Sequence, residues 1–309
     1  MDEVSEKIGE LINSLNSLHE MDRIAGLIVA NGRKAIPYLR NFLLEGKPSH
    51  IYQPRQRAVY ALADLGAKEV LIEYLCAPKY IEDPATRFGE EAVENTAARL
   101  LAVWQTDDVF EVLLRIAQTR ALPGVIEALT SFRRSECISL FIAALMDDFT
   151  RNAAENALKA MGKQAKPALM KILKTHDPSA KTETPSNLLR RRSIMRILVN
   201  LPATGKDWPT IKKMFDDNDP EISTLAARIA LRIVGFEQKK TIVKRLIEKI
   251  PWVNWRIEEE IEDCLVEYYD ASKKEIEEQI SERKTLPPKE QAADRVLQLL
   301  LHVQRRAGG

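Results

Sequence analysis

The chain has 309 residues, 45% hydrophobic and 29% charged, which fits an ordered, soluble protein rather than a disordered tail. Aromatic residues make up only 6% and glycines number 12, which argues against a β-barrel or sandwich. The formal net charge of +1 gives the molecule as a whole no bias toward polyanions, so any such binding must come from local patches.

The opening MDEVSEKIGELINSL is amphipathic and acidic and lacks the basic start and apolar core of a signal peptide. No apolar run approaches the roughly 18 residues of a membrane span. Cys76, Cys137 and Cys264 lie far apart within apolar segments. An odd, dispersed set of this kind reads as reduced, buried thiols in a cytoplasmic protein.

Taken in order, the periodicity predicts helices over 4–18 and 21–31, then paired segments over 34–45 with 55–66, 68–76 with 91–104, and 107–118 with 121–132. The pairs continue over 135–146 with 151–161, 163–174 with 187–201, 209–216 with 220–234, 237–249 with 253–269, and 272–283 with 288–306. Asp219-Pro220 is a helix start, with aspartate as N-cap and proline at the first helical position. The tail RRAGG is expected to fray.

The clearest unit is Thr150–Thr175. In its first helix Ala153, Ala154, Ala157, Leu158 and Met161 share one face and Arg151, Asn152, Glu155 and Lys159 the other. Gly162 ends that helix by adopting a left-handed conformation cheaply. The second helix carries Ala165, Ala168, Leu169, Ile172 and Leu173, with Pro167 tolerated in its first turn. Neither helix can bury its stripe alone, so the unit requires stacked neighbours. A marker of the form Ala-Leu-x-x-Leu/Met-Gly recurs at 61–66 and 157–162, and in altered form at 230–235, with weaker copies ending near Trp104, Phe132 and Leu201. Such a spacing is that of helical-hairpin arrays.

The residues Arg57, Ala58 and Ala61-Leu62 in one unit, and Asp219-Pro220, Ala226, Ala227 and Ala230-Leu231 in another, give the chain its resemblance to the HEAT-repeat family, including the HEAT-like repeats named after phycobilisome lyases. The resemblance covers nearly the whole chain and rests on packing motifs. It implies an all-α fold: a right-handed α-solenoid of about eight hairpins over 1–309, capped by hairpins at 1–31 and 271–309, whose second helices line a concave surface. The family includes scaffolds, transport receptors, chromophore lyases and DNA glycosylases, so it does not select a function.

Three connections exceed a tight turn, at 46–54, 77–90 and 175–186, and all join first to second helices, so they should project from one rim, as recognition loops or as tolerated insertions. The sharpest local feature follows the third. With Ser186 as N-cap, Arg190, Arg191 and Arg192 fall in the first two turns of a helix, where cations oppose the macrodipole. Arg192, Arg196 and Asn200 then form one polar stripe. Arg151 and Lys159 on one side, and Arg228 and Arg232 on the other, would extend this basic surface. The alternative is a face neutralised within the protein by Glu155 and Glu221.

The surface is not uniformly basic, because Glu90, Glu91 and Glu94 mark one second helix and Glu258, Glu259, Glu260, Glu262 and Asp263 another. A partner of alternating charge suits this better than a nucleic-acid duplex. Trp255, Arg256 and Glu259, close to Trp252, could form a hot spot, although capping of the core by both indoles is the blander expectation. His19, His50, His176 and His302 are scattered, and no metal-ligand spacing, phosphate-binding loop or nucleophile elbow occurs. The expectation is a non-enzymatic scaffold, without cofactor or metal, that docks a protein partner bearing an acidic segment. Nucleic acid is the alternative ligand, with a glycosylase centred on Trp255, Arg256 and Glu259 the least favoured reading.

Overall fold

A computed structural model describes residues 3–16, 20–175 and 183–308 of the chain. Among the described residues the protein is all-helical, with no strand. It forms two compact units, Met1–Met161 and Gly162–Gly309, and the boundary falls within the Thr150–Thr175 repeat.

The first unit contains α1 (Glu3–Ser14), α2 (Met21–Ala30), α3 (Ile36–Leu44), α4 (Gln53–Asp64), α5 (Lys68–Cys76), α6 (Pro84–Leu101), α7 (Asp107–Thr119), α8 (Pro123–Phe132), α9 (Ile138–Ala144) and α10 (Arg151–Met161). Each consecutive pair packs together, as α1 with α2 and α3 with α4. The even-numbered helices stack in succession as one layer, and α1, α3, α5 and α7 as the other. The second unit contains α11 (Lys166–Thr175), α12 (Pro185–Val199), α13 (Trp208–Phe215), α14 (Pro220–Leu231), α15 (Phe236–Lys249), α16 (Trp255–Glu267), α17 (Tyr269–Arg283), α18 (Pro288–Ala293) and α19 (Arg295–Gly308). Here α12, α14, α16 and α19 stack in succession, and α11 packs on α13 and α15 on α17.

Small residues permit this layering. Ala153, Ala154 and Ala157 of α10 are buried, as are Ala226, Ala227 and Ala230 of α14. At Gly124 a side chain is impossible, because a Cβ there would lie 2.4 Å from the carbonyl oxygen of Asn95. The Asn95 side chain instead accepts the Gly124 N–H at 2.7 Å, locking α8 onto α6. Each fully buried leucine or isoleucine between the layers contributes about 1.5–3 kcal/mol.

Prolines set the helix starts. Pro54, Pro84, Pro123, Pro185 and Pro220 occupy the first or second position of α4, α6, α8, α12 and α14. Asp219 caps α14 as expected, accepting from the Ile222 N–H at 3.0 Å. Asp83 caps α6 in the same way, at 2.7 Å from the Thr86 nitrogen, so α6 begins at Pro84 rather than 91 and the long connection expected there is confined to 77–83. The cap of α12 is Thr184, two residues before the expected Ser186. Gly66 and Gly162 take the left-handed conformation (φ +70 and +54), whereas Gly235 (φ −72) does not. Helix α19 runs from Arg295 to Gly308. Residues 176–182, most of the third long connection, lie outside the described residues, as do 17–19 at the end of the first predicted helix.

Candidate functional site

Arg191, Arg192 and Arg196 of α12 pair with carboxylates of their own unit. Arg191 is 4% exposed. Its guanidinium donates to Glu183 at 2.5 and 2.7 Å and to Asp217 at 2.6 Å. It therefore cannot serve as an exposed docking cation, which corrects the expectation for this residue. The reason is helical periodicity: Arg191 lies three, four and seven positions before the buried Ile194, Met195 and Leu198 and so shares their inward face. Arg192 donates to Asp219 at 2.6 Å and lies 3.6 Å from Glu221. Arg196 pairs with Glu221 at 2.6 Å. The neighbouring Asp219 carboxylate raises the Arg192 pKa further, followed by the opposing cost of burial. Arg190 spends one donor on Asn187 at 2.8 Å.

The flanking arginines are engaged as well. Arg228 pairs with Glu260 at 2.6 Å, and Arg232 donates to the Leu201 carbonyl at 3.5 Å. Arg151, in the first unit, donates to the Leu145 carbonyl at 3.0 Å and pairs with Asp148 at 2.6 Å. Acidic α16 is neutralised likewise. Glu258 pairs with Arg295, and Arg306 takes Glu262 and Asp263. His302 lies 3.1 Å from Glu262. Ion pairs between stacked neighbours thus engage most of the charged side chains of these two helices.

What remains exposed is the start of α16. Asn254 caps it by accepting from the backbone N–H groups of Arg256 and Ile257 at 3.1 and 3.2 Å. Val253 and Ile257 are buried and hold the segment in place, while Arg295 donates to the Val253 carbonyl at 3.2 Å. Trp252 and Trp255 are 85% and 75% exposed. Capping of the core by these indoles is therefore overturned: Val253 and Ile257 fill the positions that the tryptophans were expected to take. Arg256 and Glu259 are exposed, and neither side chain has an ion pair among the described residues. Arg196, Glu221, Leu225, Arg256, Ile257 and Glu260 line a hollow of about 70 Å³ between α12, α14 and α16. The fold thus brings Arg196 and Arg256 to one place, beside Trp255 and Glu259.

Sequence reasoning missed a second constellation. Glu90 and Glu94 of α6 are not an acidic groove: they are 2% and 1% exposed. Arg55 grips Glu90 at 2.8 and 2.9 Å, and the Tyr74 hydroxyl donates to Glu90 at 2.6 Å. Lys79 donates to Glu94 at 2.5 Å while lying 3.9 Å from the centre of the Tyr74 ring, and Arg120 holds Glu94 with two bonds. The i, i+4 spacing of two glutamates beside alanines and a valine was the available signal of burial. Cys76 also departs from expectation, being exposed, whereas Cys137 and Cys264 are buried.

Among the described residues no group of three or more His, Cys, Asp or Glu is arranged to hold a metal ion, and no helix is long and apolar enough to cross a membrane. No protein-family model matches the chain, and no curated protein matches it in sequence.

Proposed function

We propose that the protein is a non-catalytic scaffold, a HEAT-like superhelical array whose second unit captures a protein partner at the start of α16. The observation that carries this reading is the pair of tryptophans, Trp252 and Trp255, exposed on a segment that is otherwise firmly anchored. Large exposed indoles are costly to leave in water, and they are enriched where interfaces concentrate their energy. Arg256 beside them offers a planar fork for a carboxylate, so the favoured ligand is a segment with an apolar residue for the indoles and an acidic residue for Arg256. The ion pairs linking α12, α14 and α16 supply the stiffness that keeps this patch preorganised.

The test is affinity capture from nuclease-treated host lysate with the wild-type chain and with the Trp252→Ala/Trp255→Ala variant. A stoichiometric protein retained by the wild type and lost by the folded variant supports the reading. Equal retention by the variant would sink it. Loss of the bound material on nuclease treatment would make nucleic acid the ligand, and its affinity should then fall linearly on a log–log salt plot.

A further inference from the structure

The first unit carries two adjoining clefts that the scaffold reading does not use. One, of about 590 Å³, separates α7 from α9 and is lined by Leu114, Ala117, Leu140 and Ala143 among others. The other, of about 720 Å³, lies between the starts of α6 and α8 and is walled by Phe88 and Phe149. Arg120 and Ala121 line both, so the two clefts border the α7–α8 connection, and the second, which Arg120 shares with both phenylalanines, is the furrow of interest.

Phe88 and Phe149 are 66% and 78% exposed. Neither sits on a loose tip. Phe88 is in the first turns of α6, and the backbone N–H groups of Phe149 and Thr150 both donate to the Asp147 carboxylate at 3.0 Å. Between them, Arg120 is held by Glu94, a carboxylate that is 1% exposed. Its remaining N–H donors have no hydrogen-bond partner among the described residues, and its side chain is one-third exposed along the furrow. A partly exposed guanidinium held by a buried carboxylate, beside two aromatic rings on anchored backbone, is a preorganised recognition element.

Charge decides what it recognises. Glu94 already neutralises Arg120, and nearby Glu91 adds further negative potential. Along the furrow Arg87 and Arg120 are matched by Glu91 and Glu94, and Lys79, which also reaches Glu90, does not line it, so the furrow has no excess of charge that would hold a phosphate or an acidic tail. Neutral acceptors fit instead. We infer that this furrow binds an uncharged, extended peptide segment of a partner, with main-chain carbonyls accepting from Arg120 and bulky apolar side chains lying against Phe88 and Phe149. The site is independent of the tryptophan patch in the second unit.

The experiment is selection of a phage-displayed random dodecapeptide library on the full-length protein, followed by titration of the synthesised winners. Peptides should converge on bulky apolar residues without a shared charge, and Phe88→Asp or Phe149→Asp should each weaken them at least about tenfold. Trp255→Ala should leave their affinity unchanged, which separates this site from the one proposed above. Both phenylalanines are exposed, so these variants test the furrow even if Arg120→Gln fails to fold. Failure of any peptide to enrich, selection of acidic peptides only, or equal binding by Phe149→Asp would overturn the inference. Binding of fluorescent oligothymidylate that both aspartate variants abolish would also overturn it, in favour of single-stranded nucleic acid.

Discussion

Arg55 and Glu90, 35 residues apart in sequence, form a bidentate pair at 2.8 and 2.9 Å, with both side chains buried. The same guanidinium donates to the carbonyls of Phe42, Leu43 and Gly46, so one cation ties the end of α3 and the α3–α4 connection to α6. Removing one member leaves an uncompensated charge in the interior, which costs about 3–5 kcal/mol. Glu90→Leu should therefore lose that much in urea denaturation. Arg55→Met/Glu90→Leu should recover part of it, but not all, because the three carbonyls lose their donor. A fully additive double mutant would show that the pair is not coupled.

Arg133 takes the left-handed conformation (φ +53) after α8, where Gly66 and Gly162 end α4 and α10 in the same way. That backbone costs a residue with a Cβ about 1–2 kcal/mol, part of which glycine offsets by its greater freedom in the unfolded chain. Arg133→Gly should thus stabilise the first unit by about 0.5–1 kcal/mol, read as a higher denaturation midpoint with unchanged slope. An unchanged or lower midpoint would contradict this account of how α8 ends.

The thiols report burial directly. Burial pushes Cys264 up to about 12 and Cys137 up to about 11 from a usual value of 9.0, and it carries the Tyr74 hydroxyl well above the ordinary phenol range, with Glu90 adding to the effect. A thiol reagent should modify only Cys76 in the native protein and all three cysteines in guanidinium. In the folded state the buried thiols keep their protons after the unfolded chain has released them. The thiols therefore draw stability down above pH 9, Cys264 by about 1.4 kcal/mol per pH unit, against the opposite contribution of Lys79 and Lys249, whose amine pKa values burial lowers. Chemical denaturation from pH 7 to 11 of the wild type and of Cys264→Ala isolates the thiol, and equal slopes above pH 9 would refute the assignment.

The helices, their pairing into hairpins and the alanine faces that stack them were legible in the sequence, because each depends on residues three to four positions apart or on one local cap. The starts of α6 and α12, at Asp83-Pro84 and Thr184-Pro185, carry the same local signal as Asp219-Pro220 and are legible in the same way. The fate of the charges was not legible. Arg191 meets Asp217, Arg228 meets Glu260 and Arg55 meets Glu90 across separations of 26 to 35 residues. A sequence shows that a helix face is charged, but whether that charge faces water or a carboxylate one repeat away depends on the register in which neighbouring helices stack. For the same reason the tryptophans of the α16 start read as core, and only the stacking, which gave that place to Val253 and Ile257, left them exposed.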